Sequence, residues 1–288
     1  MIVKLHSNDY FSRCQRKTGG IKMLLDYHMH SDFSEDCYTP MERTIEAAIQ
    51  KGVTEICFTE HLDYDYPDPD FTFDLDVVAY KEKIEAMQKK YAEQITIKKG
   101  IEVGLQPHVL EDTKQLIEQE YFDFVIASLH VADKKDLHNG DFFVSRSPEE
   151  AYRYFYEELL YCVKNYEHYN VLGHLDLVKR YKKLDTEENF HDIIKEIFKE
   201  IIPKGKGIEV NASGFAYNLG TAMPSEDILS LYKDCGGEFI TIGSDAHEPD
   251  HVAHRFPEIL KQVERIGIPY IASFSDQKPT FHKISKFI

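Results

Sequence analysis

Histidine and acidic side chains follow several short apolar segments of this 288-residue chain, at or just after the point where each segment ends. His28 and His30 follow the first segment, and in extended backbone they project to the same side, so one cation can contact both. Imidazole and carboxylate groups without thiolate suit Zn²⁺, Mn²⁺ or Fe²⁺. The predicted metal ligands are six histidines and three acidic residues: His28, His30, His61, His130, His174, His247, Asp36, Glu102 and Asp245.

This set of ligands is larger than one ion can use. A zinc ion takes about four or five ligands, so the sequence predicts two to three divalent metal ions (Zn, Fe or Mn), with a Glu whose two oxygens can bridge adjacent ions. A water bound to such ions has a pKa lowered towards ~7 and is a nucleophile at neutral pH. Asp32, Glu60 and Asp176 are neighbours of the ligands, and we expect them to orient imidazoles rather than to bind metal.

The apolar segments that carry these residues are short and rich in β-branched side chains, which predicts strands. The predicted strands are 24–27, 55–59, 95–103, 124–127, 171–172, 208–210, 239–242 and 270–274. Thr39 before Pro40 predicts the N-cap of a first helix, and Ser147 before Pro148 predicts that of a Tyr-rich helix to about Asn165. Amphipathic patterns predict further helices at 77–92, 186–202, 225–235 and 256–266.

Strands that alternate with helices imply a largely parallel sheet, and seven or eight such units favour a TIM-like barrel over an open sheet. No linker or composition break divides residues 23–288, so we expect one domain there. The carboxyl ends of barrel strands converge on one rim, where the predicted ligands would meet. Residues 1–22 lack periodic structure and the apolar core of a secretory signal, and we expect a disordered or non-native extension before a functional start at Met23.

Composition limits the partners of the chain. With 34 Lys+Arg against 50 Asp+Glu, the formal net charge is −16, which disfavours nucleic acid and other polyanions. Apolar runs of about four to seven residues are well short of the ~20 that a membrane span needs. Five cysteines without a Cys-x-x-Cys pair favour a reducing cytoplasm. Clustered cations would still give this acidic protein a local positive focus for a small anion. The sequence gives no signal of oligomeric state.

The chain resembles the PHP (polymerase and histidinol phosphatase) superfamily over about residues 24–280. The resemblance is carried, in the expected order, by Asp26-Tyr27-His28-Met29-His30, Thr59-Glu60-His61, Gly100-Ile101-Glu102, Ser128-Leu129-His130, Gly173-His174-Leu175-Asp176 and Gly243-Ser244-Asp245-Ala246-His247. Within the superfamily, the chain most resembles the monofunctional L-histidinol-phosphate phosphatases, because of its length and its segments 56–61 and 173–181.

This resemblance implies a distorted (β/α)7 barrel, with segment 270–274 outside the closed sheet, and a trinuclear metal centre. It implies hydrolysis of L-histidinol phosphate to L-histidinol and phosphate in histidine biosynthesis, by attack of a metal-bridged hydroxide on phosphorus. The implied ligands of the first ion are His28, His30, Glu102 and Asp245. Those of the second are Glu102, His130 and His174, and those of the third are Asp36, His61 and His247.

Four residues are expected to act on the substrate or to bind it. Many family members have His where Asp36 stands, so Asp36 is a ligand, a proton donor to the leaving group, or both, and His247 is the other candidate donor. Arg180 matches an Arg of the phosphatases, and its guanidinium can bind two phosphate oxygens. Arg255 is a second candidate for binding phosphate. Positional guesses for contacts to the imidazole and amine are Tyr64, Asp65, Asn211, Ser213, Phe215 and Tyr217.

Three alternatives remain open from the sequence. A PHP-type phosphatase could act on another small phosphoester, such as a nucleotide or a sugar phosphate. An amidohydrolase-type barrel also begins with His-x-His and ends with Asp, but it usually lacks this Glu-bridged third ion. A nucleic-acid-processing PHP module is disfavoured by the net charge of −16.

Overall fold

The computed structural model describes residues 23–68, 71–183 and 189–288. Within these ranges, nine strands form one sheet whose order follows the chain, and only its last pair is antiparallel. The strands are β1 (Leu25–Asp26), β2 (Glu55–Leu62), β3 (Thr96–Gly104), β4 (Phe124–Ser128), β5 (Val171–Leu172), β6 (Gly207–Asn211), β7 (Phe239–Gly243), β8 (Tyr270–Ser275) and β9 (Lys278–Lys283). The predicted α/β class is confirmed, and every predicted strand overlaps an observed one.

Helices connect the successive parallel strands, and a two-residue turn joins β8 to β9. The helices are α1 (Met41–Gln50), α2 (Val77–Tyr91), α3 (Leu110–Gln119), α4 (Pro148–Asn165), α5 (Val178–Tyr181), α6 (His191–Ile201), α7 (Ser213–Ala216), α8 (Glu226–Asp234) and α9 (Phe256–Ile266). The sequence did not predict α3, because it buries only three side chains and no side chain caps its first turn. The predicted start of α6 at residue 186 lies outside the described residues, as does the whole predicted extension 1–22.

The capping box predicted for α4 is confirmed, since Ser147 Oγ accepts a hydrogen bond from Glu150 N at 3.2 Å and Glu150 Oε2 accepts one from Ser147 N at 2.8 Å. The cap predicted for α1 is wrong. Thr39 Oγ1 instead donates to the carbonyl oxygen of His247 at 2.7 Å, and Asp32 Oδ1 accepts from Met41 N at 3.3 Å. Asp32 therefore serves the start of α1 and does not orient an imidazole.

The first strand lies against the seventh. Tyr27 N donates to Ile242 O at 2.9 Å, Asp245 N to His28 O at 2.8 Å, and His30 N to Ala246 O at 3.0 Å. The buried Asp26 carboxylate accepts from Ser244 N and Ala253 N, both at 2.9 Å. The backbone that carries the first two predicted ligands is thus hydrogen-bonded to the backbone that carries the last two.

The core lies on both faces of the parallel strands. Every residue of β4, β6 and β7 is buried, as expected for strands covered on both sides. On α6, the buried side chains form one apolar stripe: Ile193, Ile194, Ile197, Phe198 and Ile201. None of the helices in the described ranges combines the length and the apolar character needed to cross a membrane.

Candidate metal centre

The nine predicted ligands lie together at one end of the parallel strands. His61 and Glu102 are register partners near the carboxyl ends of β2 and β3, and the others follow the ends of β1, β4, β5 and β7. The His30 ring is stacked on two other rings, with centroid distances of 4.2 Å to His61 and 4.4 Å to His247. Parallel strands therefore bring the histidines together, although they are spread over most of the chain.

Glu102 lies at the centre of this cluster and is fully buried. Its Oε2 is 3.0 Å from His28 Nε2 and 3.2 Å from His61 Nδ1. Its Oε1 is 3.0 Å from His174 Nε2 and 3.3 Å from His130 Nε2. Burial raises the pKa of Glu102, but the surrounding imidazoles, His28 first, hold it well below its usual range. An ionised carboxylate with each oxygen facing different imidazoles suits a group that bridges two ions.

Asp245 faces the first two histidines from β7. Its Oδ1 lies 3.4 Å from His30 Nε2 and 3.6 Å from His28 Nε2. Burial lowers the pKa of His30 to about 3, so its imidazole is neutral at physiological pH, the form that binds metal. Burial acts to raise the pKa of Asp245, but His28 and the neighbouring cationic groups hold it well below its usual range.

Asp36 lies at the more exposed edge of the cluster. Its Oδ2 is 3.2 Å from His247 Nε2 and 3.7 Å from His61 Nε2. Burial acts to lower the pKa of His247, but the hydrogen bond with Asp36 raises it to about 9. The structure therefore brings Asp36, His61 and His247 together, as the resemblance implied.

The donor atoms fit divalent metal ions. His28 Nε2 and His30 Nε2 lie 3.1 Å apart, while Nδ1 of each ring already contacts another side chain. Two imidazole nitrogens that face each other in this way converge on a position where a cation would bind both. Ligand atoms also converge within 4.8 Å of one another in two further sets, Glu102 with His130 and His174, and His30 with His61 and His247. How the nine ligands divide among ions stays a prediction.

Asp32, Glu60 and Asp176 were expected to orient the imidazoles of the ligands. Of these three residues, only Glu60 does so. Glu60 accepts from Ser34 Oγ at 2.7 Å, and that hydroxyl contacts His30 Nδ1 at 3.1 Å. Asp176 instead accepts from Lys179 Nζ at 2.8 Å and from Ser225 N at 3.1 Å. The predicted role of Asp176 is therefore wrong, because its carboxylate serves the loop before α8.

Sequence reasoning missed two acidic residues of the site. Asp63 Oδ1 contacts His130 Nδ1 at 2.8 Å, and Asp63 forms a potential metal-binding set with His61 and His130. Its position two residues after His61 was a usable signal, because such residues share a side of an extended segment. The second residue, Glu209, lies inside the apolar run of β6, where its neighbours conceal it.

A cavity of about 330 Å³ opens beside the metal ligands. Arg180 lines it, with Nη2 donating to Ser213 Oγ at 2.5 Å and to Asp245 Oδ2 at 3.1 Å. The guanidinium lies 4.2 Å from the centre of the Tyr217 ring, and its buried Nε has no hydrogen-bond partner. Arg180 thus presents a cationic group next to the ligands.

Arg255 lies elsewhere. Its half-exposed guanidinium donates to Glu258 Oε1 at 2.7 Å, and it lines neither this cavity nor the adjoining one of about 250 Å³. The structure therefore does not support its predicted contact with phosphate. Arg255 has a left-handed backbone conformation, with a φ of 56°, immediately before α9. The sequence does not predict this conformation.

Of the six positions suggested for contacts to the imidazole and amine, two line a cavity. Tyr217 lines both cavities and Ser213 lines the smaller one. The other four guesses, Tyr64, Asp65, Asn211 and Phe215, line neither. The other residues that line the larger cavity include Tyr66, Phe71, Phe73, Asp136, His138 and Tyr181.

The family profile of the PHP domain matches residues 26–213, and the chain belongs to this family. Among curated proteins, it is 35% identical over 260 residues to the histidinol-phosphatase of Lactococcus lactis subsp. lactis, covering 88% of this chain and 95% of that protein. It is 29% identical to the probable histidinol-phosphatase of Clostridium acetobutylicum, covering 85% of this chain and 95% of that protein. The resemblance predicted from the motifs is confirmed.

Solved structures agree with this assignment. The crystal structure of the Lactococcus lactis histidinol phosphate phosphatase, complexed with zinc, L-histidinol and phosphate, superposes with a TM-score of 0.81 at 32% identity. The match covers 89% of this chain and 98% of that one. The putative histidinol phosphatase of Listeria monocytogenes shares the fold, with a TM-score of 0.70 at 18% identity, and the match covers 81% of this chain and 99% of that one.

Proposed function

We propose that this chain is a metal-dependent phosphatase that hydrolyses L-histidinol phosphate to L-histidinol and phosphate in histidine biosynthesis. The observation that carries the proposal is the convergence of nine metal-ligand side chains around the buried Glu102, next to a cavity that holds the Arg180 guanidinium. The activity named for the relatives and the ligands of the Lactococcus lactis structure support the choice of substrate.

The nine ligands would hold two to three divalent ions, and the zinc of the Lactococcus lactis structure supports zinc as one of them. Such ions, when bound, would neutralise the phosphoryl oxygens and lower the pKa of a water so that it attacks phosphorus at neutral pH. Glu102 suits a bridging position, because both its oxygens face imidazole nitrogens. We propose that the seven strands from β1 to β7 close into a distorted (β/α)7 barrel that holds these ligands, and the hydrogen bonds between β1 and the end of β7 support this closure.

Arg180 would bind the phosphoryl group directly. Its side chain is held from three sides by Ser213, Asp245 and Tyr217, so little rotational freedom remains to be lost when substrate binds. A fixed guanidinium stabilises charge on the equatorial oxygens as the ester bond breaks, without reorganising at that moment.

The departing alkoxide of histidinol needs a proton. The Asp36–His247 pair holds one between Oδ2 and Nε2, which are 3.2 Å apart, at the edge of the cavity. We propose that this pair is the proton source. Asp36 can combine this role with metal binding, because a carboxylate has a second oxygen for the ion.

The aromatic wall of the cavity would accept the rest of the substrate. Phe71 and Phe73 are stacked 6.1 Å apart, and Tyr66 meets Phe73 edge to face. Burial and the adjacent Asp136 carboxylate raise the pKa of Tyr66, so its hydroxyl remains protonated. Flat rings beside a buried carboxylate suit an imidazole and an ammonium group.

Metal analysis combined with steady-state kinetics tests the proposal. We expect purified protein to contain two to three equivalents of divalent metal, to lose activity on histidinol phosphate when treated with a chelator, and to regain it with zinc or manganese. A panel of nucleotide and sugar phosphates at equal concentration serves as the comparison. Full activity without metal would refute the mechanism, and a higher kcat/KM on another ester would refute the substrate.

We also propose that the enzyme is cytoplasmic. The described cysteines, Cys37, Cys57, Cys162 and Cys235, are all free thiols, which supports a reducing compartment.

A further inference from the structure

We propose that Glu209 is a positioning residue for the metal centre: it fixes the proton of His28 on Nδ1 and ties the ligands of β1 and β5 to β6. The inference rests on the metal-dependent function proposed above, but not on the identity of the substrate. Glu209 is fully buried, and the chemistry assigned to the nine ligands makes no use of it.

The two oxygens of Glu209 have different partners. Oε1 lies 2.7 Å from His28 Nδ1. Oε2 accepts from the backbone N–H of His174 at 3.0 Å and from Asn211 Nδ2 at 3.1 Å. One carboxylate on β6 therefore holds the ring of a ligand after β1 and the backbone of a ligand after β5.

The contact with His28 decides which ring nitrogen is free. Oε1 of Glu209 accepts from the ring while Oε2 accepts from two N–H donors, so Nδ1 is the nitrogen of the metal-binding His28 ring that carries a proton. Nε2 then keeps its lone pair, and it faces Glu102 Oε2 at 3.0 Å and His30 Nε2 at 3.1 Å. A ring fixed in this tautomer by a carboxylate is oriented for metal binding, and its basicity is raised.

One glycine makes room for this arrangement. A Cβ atom at Gly243 would lie 2.2 Å from Glu209 Oε1 and 2.3 Å from the Cβ of His28. The motif that contains Gly243 thus supplies ligands and also the space in which Glu209 and His28 meet.

The test is Glu209→Gln in the full chain, with Glu55→Gln as the matched control. Glu55 is a partly buried carboxylate at the opposite end of β2, where it accepts from the Tyr27 hydroxyl. We expect zinc affinity, measured by competition with a chromophoric chelator, to fall about 10- to 100-fold in Glu209→Gln and to stay within twofold in Glu55→Gln. The kcat for phosphoester hydrolysis at saturating zinc should fall while KM changes little, because the cavity wall is untouched.

A second measurement does not depend on the variant folding. In the zinc-loaded wild type, ¹⁵N chemical shifts of the His28 ring should report a proton on Nδ1 and zinc on Nε2. Equal zinc affinity in wild type and Glu209→Gln, or zinc bound to His28 through Nδ1, would overturn the proposal. If the wild type binds zinc as described but does not hydrolyse histidinol phosphate, the proposed substrate fails while the role of Glu209 stands.

Discussion

Replacing Arg180 with alanine should weaken the binding of phosphate far more than the binding of histidinol. Arg180 lies between the Asp245 carboxylate and the Tyr217 ring, with Nη2 committed to Asp245 and Ser213 and Nε without a partner. The guanidinium has five N–H donors, and those that Asp245 and Ser213 do not use are available to a phosphoryl oxygen in the cavity. Histidinol lacks the phosphoryl group, so its affinity for the enzyme should not depend on Arg180.

The size of the effect follows from the contacts that are lost. A hydrogen bond to a charged group contributes about 1.5–3 kcal/mol, which corresponds to a factor of about 10 to 150 in affinity. The inhibition constant for inorganic phosphate should rise by this factor in Arg180→Ala, and kcat/KM for histidinol phosphate should fall by at least as much. Arg180→Lys keeps the charge without the planar fork, so its values should lie between those of the wild type and Arg180→Ala.

Product inhibition by phosphate and by L-histidinol, measured separately, tests this reasoning. Arg255→Ala is the matched control, because that exposed arginine pairs with Glu258 and lines neither cavity. A phosphate inhibition constant unchanged in Arg180→Ala would refute the assignment. An equal loss of affinity for histidinol would show instead that the substitution had disturbed the whole cavity.

Three further predictions concern single side chains. Asp136→Asn should raise KM for histidinol phosphate about tenfold, because one hydrogen bond to a charged group is lost. Hydrolysis of p-nitrophenyl phosphate should stay unchanged. Equal effects on both substrates would show that Asp136 does not recognise histidinol phosphate. Gly104→Ala should reduce bound metal measured by elemental analysis, because its Cβ would lie 2.0 Å from Asp63 Oδ1; full metal content would contradict this. Burial raises the pKa of Asp26 from 3.8 to about 6, so its ionisation costs stability as pH rises from about 4 to 6. In Asp26→Asn, the free energy of unfolding of the metal-free protein, measured by urea denaturation, should lose about 3 kcal/mol less over this pH range than in the wild type. The same dependence of unfolding free energy on pH in both proteins would contradict this.

The strands and the ligands could be predicted because they depend on local patterns. Short β-branched runs specify β2, β3 and β7, and a parallel sheet brings their ends to one rim regardless of the details of packing. His61 and Glu102 could be placed together on this basis, and they are register partners. Predictions of this kind need only the direction of each strand.

Predictions about single polar contacts were less successful, because they depend on which group approaches from a distant part of the chain. The Thr39 hydroxyl bonds to the carbonyl of His247 instead of capping α1, although the local sequence favours the cap. Glu209 was missed because nothing in its own segment marks an acid between Ile208 and Val210 as part of a site. It contacts Asn211 within β6, but the partners that connect it to the metal centre, His28 and His174, follow two other strands.

The contact between β1 and β7 brings the first and the last of the parallel strands that carry metal ligands together at the metal centre. Asp26 and Ser244 are 218 positions apart in the chain and hydrogen-bonded in space, and the ligands beside them belong to one cluster. The entropic cost of closing this loop is smaller once the intervening units have folded and shortened it, so we expect the site to assemble late. A nascent chain lacking residues 245 and 247 would carry most of the ligands without their last partners. Metal capture and completion of the fold should therefore be a single event.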